Sequence, residues 1–176
     1  MREPLDPGVE TTLLDNGLAV TTVALPHLHT AVCALFVKVG ARFERAEDNG
    51  LSHFVEHMLF RGSSQFPDSF ALNLAIEELG GTLYAETGRD YSLYQIPLHP
   101  RHVARGLAIL GDLFSTPAFR DIDLERQIIL EEILEDLDDR GRNVNLDDLS
   151  RLVAWSKHPL GYTLSLIHIS EPTRPY

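Results

Sequence analysis

His53, Glu56 and His57 fall within one five-residue run, His-Phe-Val-Glu-His. On a helix, residues four apart share a face, so both imidazoles can reach one metal ion. Glu56, three residues after His53, projects from the same side and can meet a water on that ion without occupying a coordination position. Phe54, Val55, Met58, Leu59 and Phe60 surround the run and make the helix apolar around most of its girth. A buried helix is therefore expected, and buried ionisable groups need partners, which a metal would supply to all three at once. The pentapeptide is short, and chance produces it in about one chain in forty of this composition. The competing reading is a pair of surface histidines on an amphipathic helix.

A zinc site of this kind takes one more protein ligand, usually from another element. The acidic stretch Glu125 to Asp136 is the candidate source. Ile128, Ile129, Ile133, Leu134 and Leu137 give it an apolar face. Glu125 and Glu132 are seven apart, two helical turns, and lie on a common side; Glu131, Glu135 and Asp138 point elsewhere, to a solvated face. Periodicity alone leaves Glu132 as either a ligand or a surface carboxylate.

The elements that must position these groups follow from patterning. Residues 10–14 and 18–25 read as a hairpin, because Asp15-Asn16-Gly17 between them is turn chemistry. Residues 30–39 form a long β-branched and aromatic run, expected to be a central strand. The spacing of Leu51, Phe54, Val55, Met58 and Leu59 predicts a helix over 50–60. Asp68 is an N-cap for a second helix ending before Gly80-Gly81. Strands follow over 82–86 and 91–97, then helices over 100–114, 121–139 and 146–156. This order implies an α+β fold, a largely antiparallel sheet packed against helices, rather than regular βαβ alternation.

Composition bounds the function classes. The chain has 176 residues, 44% hydrophobic and 23% charged, values of a globular protein of one domain. Its formal net charge of −11 argues against binding a phosphate backbone, so no nucleic-acid partner is expected. A single cysteine, Cys33, reads as a small buried apolar residue and forms no internal disulfide. No run is long and apolar enough to span a bilayer. The first residues lack an apolar leader segment, so a cytoplasmic location is expected if Met1 is the true start, with a periplasmic one as the alternative if the true start is upstream. His27 and His29 read as solvated turn residues, and His99 and His102 as surface or capping groups. Arg42, Glu44, Arg45 and Glu47 read as a solvated mixed-charge loop.

Four segments in order, GLSHFVEHMLFRGS, ELGGTLYAETGRDYSLY, LERQIILEEILEDLDD and HPLGY, resemble the N-terminal domain of the pitrilysin/insulinase (M16) metallopeptidases. The resemblance runs from about Glu10 to Tyr162, and it makes the pentapeptide the inverted zincin motif. It implies zinc (Zn²⁺) held by His53, His57 and Glu132, the last about 75 residues beyond the motif. It implies Glu125 as a carboxylate supporting the ligands and Glu56 as the general base of peptide hydrolysis. It also implies an edge strand, Leu83, Tyr84, Ala85, Glu86 and Thr87, that pairs with an extended peptide or protein substrate through backbone groups. Tyr84 stands where the family usually has asparagine. Family members carry a second, similarly folded domain, or a partner subunit, that closes over the zinc and is missing here; the fragment alone is expected to be inactive. A catalytically silent M16-like structural or binding subunit is the alternative, but such proteins usually lose motif residues that are all present here. A zinc lyase acting on a thioether would want a cysteine downstream of the histidine pair, and Cys33 lies upstream.

From Leu164 the chain reads LSLIHISEPTRPY. This resembles the in-frame translation of a sequencing-library adapter, with a genuine strand and Pro-rich end as the other reading. The expected organisation is a partial M16 N-terminal peptidase domain over 1–163 and a non-native tail over 164–176, from a natural protein that is longer.

Overall fold

A hairpin comes first, β1 (Gly8–Leu13) paired antiparallel with β2 (Ala19–Ala24). The computed structural model describes residues 8–156 and 158–162; the adapter-like segment 164–176 lies outside them. The turn works as its residues predict. Gly17 sits at φ 85°, and the Leu18 N–H donates to Asn16 Oδ1 at 3.1 Å. The hairpin forms its own two-stranded sheet, with every side chain exposed along both strands.

The main sheet contains β3 (Ala31–Val37), β4 (Tyr84–Thr87) and β5 (Ser92–Leu98) in the order β3–β5–β4, antiparallel throughout. The expectation of a central strand over 30–39 is corrected here: among the described residues β5 is central and β3 lies at an edge. β3 is apolar on both faces, the pattern of a strand covered on both sides, yet Val32 and Phe36 on its outer face are exposed. β5 instead buries alternate residues, Ser92, Tyr94, Ile96 and Leu98, on one face.

That inner face is covered by α1 (Leu51–Leu59), α2 (Ser69–Glu77) and α3 (Val103–Ser115). Cys33, Tyr94, Ile96 and Leu98 from the strands meet Leu59, Leu72, Ile76, Ile109 and Leu113 from the helices in one core. Asp68 caps α2 as expected, its Oδ1 accepting from the Ala71 N–H at 2.8 Å. The stretch expected as a helix from 100 begins with a 3₁₀ turn, Pro100–His102, whose fixed proline φ suits a first turn.

α4 (Ile122–Glu135) ends four residues before the predicted 139. Hydrophobic spacing continues to Leu137, but the Asp138 carboxylate accepts from the Arg140 and Arg142 backbone N–H groups at 2.9 Å each and folds the chain into a turn. A carboxylate that can bond nearby backbone competes with helix continuation. α5 (Leu146–Trp155) follows, capped by Asn145. It is tied to the β4–β5 turn by buried Arg89, which pairs with Asp147 at 3.0 Å and Asp148 at 2.8 Å. Desolvation outweighs that pairing for Asp148 and pushes its carboxyl above the usual range. Among the described residues, no helix is long and apolar enough to cross a membrane.

Candidate metal centre

The motif helix begins at Gly50, in the left-handed region at φ 95°, with no cap from its own first residue. Glu44 supplies one from outside. Its two carboxylate oxygens accept from the Gly50 and Ser52 N–H groups at 2.7 Å each, satisfying donors that a helix start leaves open. The expectation that Glu44 is merely solvated is corrected by this contact. At the other end Gly62, at φ 109°, turns the chain so tightly that a Cβ would collide with the Phe66 carbonyl. This turn lies directly after Arg61.

α1 packs across α4 through Phe54, which sits against Ile129 and Ile133. The apolar face of α4 is narrower than periodicity suggested: Ile128 and Leu134 are exposed, while Ile129 and Ile133 are buried. Glu125 lies on that buried face, four residues before Ile129, and is itself buried. Glu132, adjacent to Ile133, stands at its margin with its side chain 46% exposed. The motif helix is half-buried, not enclosed: Met58 and Leu59 are buried and Leu51 is exposed.

The two helices bring the sequence-derived ligands together. His53 Nε2 and His57 Nε2 lie 3.0 Å apart, and His57 Nε2 is 3.5 Å from Glu132 Oε2. One donor atom from each of the three residues lies within 4.8 Å of the others. Metal–ligand bonds of about 2.0–2.1 Å in a tetrahedron imply donor–donor edges of about 3.3 Å. The two measured edges bracket that value, so this donor set fits a zinc ion. His57 Nδ1 is 2.9 Å from Glu125 Oε1. A carboxylate only accepts, so this contact places the proton on Nδ1 and leaves the Nε2 lone pair facing His53 and Glu132. Arg61 Nε donates to the other oxygen of Glu125.

Glu56 is turned toward β4, where the Thr87 hydroxyl donates to its Oε2. Tyr94 lies close by in the core. Burial pushes its phenol well above the usual range, and the Glu56 charge pushes it further. An open cleft of about 360 Å³ is lined by Glu56, His57, Phe60, Arg61, Ser69 and Glu125. Beside it, β4 pairs on one side with β5 and carries no strand on its other side among the described residues.

The predicted strand edge begins one residue later than expected. Leu83 precedes β4 and is buried in the core, while Tyr84 and Glu86 are exposed, Ala85 is half-buried and Thr87 is buried. His27, His29 and His99 are exposed, as expected, and the His99 ring accepts from the Arg101 N–H. Sequence reasoning passed over Arg61 and read Glu44 as solvated. A basic residue four after His57 was the signal for the first, because helical spacing puts it near the same face.

A crystal structure of a protease from Helicobacter pylori superposes with a TM-score of 0.82 over 93% of this chain and 40% of that one; at 23% identity the likeness speaks to the fold. The beta subunit of the mitochondrial-processing peptidase of Blastocladiella emersonii is 38% identical over 160 residues, 90% of this chain and 34% of that protein. An uncharacterized zinc protease of Rickettsia felis is 34% identical over 143 residues, 77% of this chain and 32% of that protein. The chain thus spans about a third of the length of the relatives it matches. The model of the insulinase family, peptidase family M16, matches residues 19–166, and the chain belongs to that family.

Proposed function

We propose that this chain is the zinc-binding N-terminal part of a metalloendopeptidase. The observation that carries the reading is the convergence of His53, His57 and Glu132 within 4.8 Å, with Glu56 in the cleft beside them. On this reading His53, His57 and Glu132 hold the metal. Zinc, when bound, supplies Lewis acidity that polarises a peptide carbonyl and lowers the pKa of water. Glu56 takes the proton of the attacking water and returns it to the leaving amine. The free edge of β4, Tyr84 to Thr87, binds the substrate as an added extended strand through backbone N–H and C=O groups, which tolerates Tyr84 in the place usual for asparagine.

The curated relatives named above are about two and a half times as long, and one is named as a subunit, so a second domain or partner subunit completing the cleft belongs to the proposal. Without it the 176 residues have little or no peptidase activity. Positioning of the peptide and exclusion of water contribute much of the rate, and the cleft seen here is open.

Metal analysis tests the reading. The purified chain should carry one zinc per molecule, and His57→Ala should remove most of it. In the full-length protein, Glu56→Gln should keep zinc and lose activity by about 10²–10⁴-fold. Equal zinc in wild type and His57→Ala would overturn the ligand set, and near-normal activity in Glu56→Gln would overturn the base.

A further inference from the structure

Glu125 is the most deeply enclosed carboxylate beside the metal centre, its side chain 5% exposed against 46% for Glu132. An enclosed carboxylate is stable only with its charge and its lone pairs satisfied. Both oxygens are engaged, by the end of α1 and the turn that follows it. Oε1 meets His57 Nδ1 at 2.9 Å, and Oε2 accepts from Arg61 Nε. His57 and Arg61 are four apart, at the C-terminal end of α1 and just beyond it, so they share a face. Gly62, at φ 109°, then turns the chain away.

We propose that Arg61 is a positioning residue for His57, acting through Glu125, and so sets the zinc affinity of a centre it does not touch. This rests on the zinc reading above. The contacts form a closed ring: His57 to Glu125 on α4, Glu125 to Arg61, and Arg61 back to His57 through the last residues of α1 and the turn that follows it. Each oxygen of Glu125 is held, so its plane is fixed. The fixed plane sets the tautomer and ring orientation of His57, aiming Nε2 at His53 and Glu132. Arg61 without Glu125 has nothing to transmit. Glu125 without Arg61 keeps an unpaired enclosed charge, turns toward water and releases Nδ1. Arginine suits the task better than lysine, because the guanidinium is planar and directs Nε–H along the chain, whereas an ammonium is a point charge on a mobile stem.

The test uses the 176-residue chain and zinc alone as the probe, with affinity measured by competition against a chromogenic chelator. Arg61→Met should weaken zinc binding by about 10–100-fold, the range for loss of groups that orient a ligand. Arg61→Lys should recover part of it. In a Glu125→Gln background, Arg61→Met should add nothing, because the group it acts through is gone. The double variant also removes the enclosed charge, so it answers the question even if Arg61→Met fails to fold. A metal-free readout accompanies these: long-range ¹H–¹⁵N spectra should show His57 protonated on Nδ1 in wild type and a mixture of tautomers in Arg61→Met. Folded Arg61→Met with wild-type affinity and tautomer would overturn the proposal, as would an undiminished further loss in the Glu125→Gln background. A wild-type chain that binds no zinc would instead overturn the zinc reading, and the His57 tautomer would still decide the role of Arg61.

Discussion

Thr87, the last residue of the edge strand, gives its hydroxyl proton to Oε2 of Glu56 on the motif helix, 31 positions away in the chain. Thr87 is paired in register with Ser92, whose hydroxyl stands 3.5 Å behind it as a donor. A hydroxyl has one proton to give, so donation to Glu56 makes Thr87 the acceptor from Ser92. The carboxylate is therefore oriented through Oε2 by the strand proposed to bind substrate. Replacing Thr87 by valine keeps the shape and removes the donor. In the full-length protein, Thr87→Val should lower kcat by about tenfold with zinc content and KM unchanged, the effect of one hydrogen bond to a charged group. Thr87→Ser should restore most of the rate. An unchanged kcat in Thr87→Val would show that Glu56 needs no such support.

The cap on the motif helix should be measurable as stability. Glu44 accepts from two N–H groups at the start of α1, where Gly50 offers no side chain. Loss of a helix cap costs about 1 kcal/mol, which is about 2–4 °C in Tm for a domain of this size. Glu44→Ala should show that shift in a thermal melt followed by far-UV circular dichroism. Glu47→Ala, three residues on and exposed, is the control and should leave Tm unchanged. Equal melts for both variants would refute the cap.

A pH dependence follows from Asp112. Desolvation works against its charge, but hydrogen bonds from Ser63, Thr116 and Ser64 together hold the carboxyl below the usual range. The bonds include Thr116 Oγ1 at 3.0 Å, and Gln65 Nε2 also donates at 3.1 Å, so the carboxylate ties the loop after α1 to α3. A depressed folded pKa adds stability above the unfolded value, about 3.9, and that stability is lost as pH falls through the folded value. Asp112→Asn should therefore melt below wild type at pH 6, and the gap should close below about pH 4. A gap that persists undiminished to pH 3 would mean that ionisation of Asp112 is not its source.

Part of the centre was legible because two of its residues obey a local rule: His53 and His57 need only the i, i+4 geometry of one helix. Periodicity set Glu125 and Glu132 on a common side of another helix but left the role of Glu132 open, and the family resemblance supplied it. What was not legible depends on where separate segments meet. Arg61 reaches Glu125 across 64 positions, and Thr87 reaches Glu56 across 31. Glu44 caps a helix whose start no residue inside it marks. The rank of β3 in the sheet was misread because apolarity on both faces reads as a covered strand, whereas its outer face is exposed. The end of α4 was misread because the spacing of apolar residues runs on past Glu135, while the side-chain bonds of Asp138 end the helix.

The fold also bears on what this chain can do alone. On α5, Leu146 is 81% exposed and Val153 is 86% exposed, and the hairpin leaves Val9, Leu13 and Val23 exposed. Apolar surface of that extent favours association. The cleft at the metal centre is open, and β4 has no cover on its free edge among the described residues. On the proposed reading zinc and Glu56 would supply the reagents of hydrolysis, but the rate also depends on holding the peptide in line and excluding bulk water. The 176-residue chain should therefore bind zinc yet turn over a quenched-fluorescent peptide library at least about 10²-fold more slowly than the full-length protein at equal zinc occupancy. Light scattering should show the shorter chain self-associating at concentrations where the longer one does not. Comparable turnover by the two would refute the requirement for a second domain or partner subunit and place the whole peptidase within these residues.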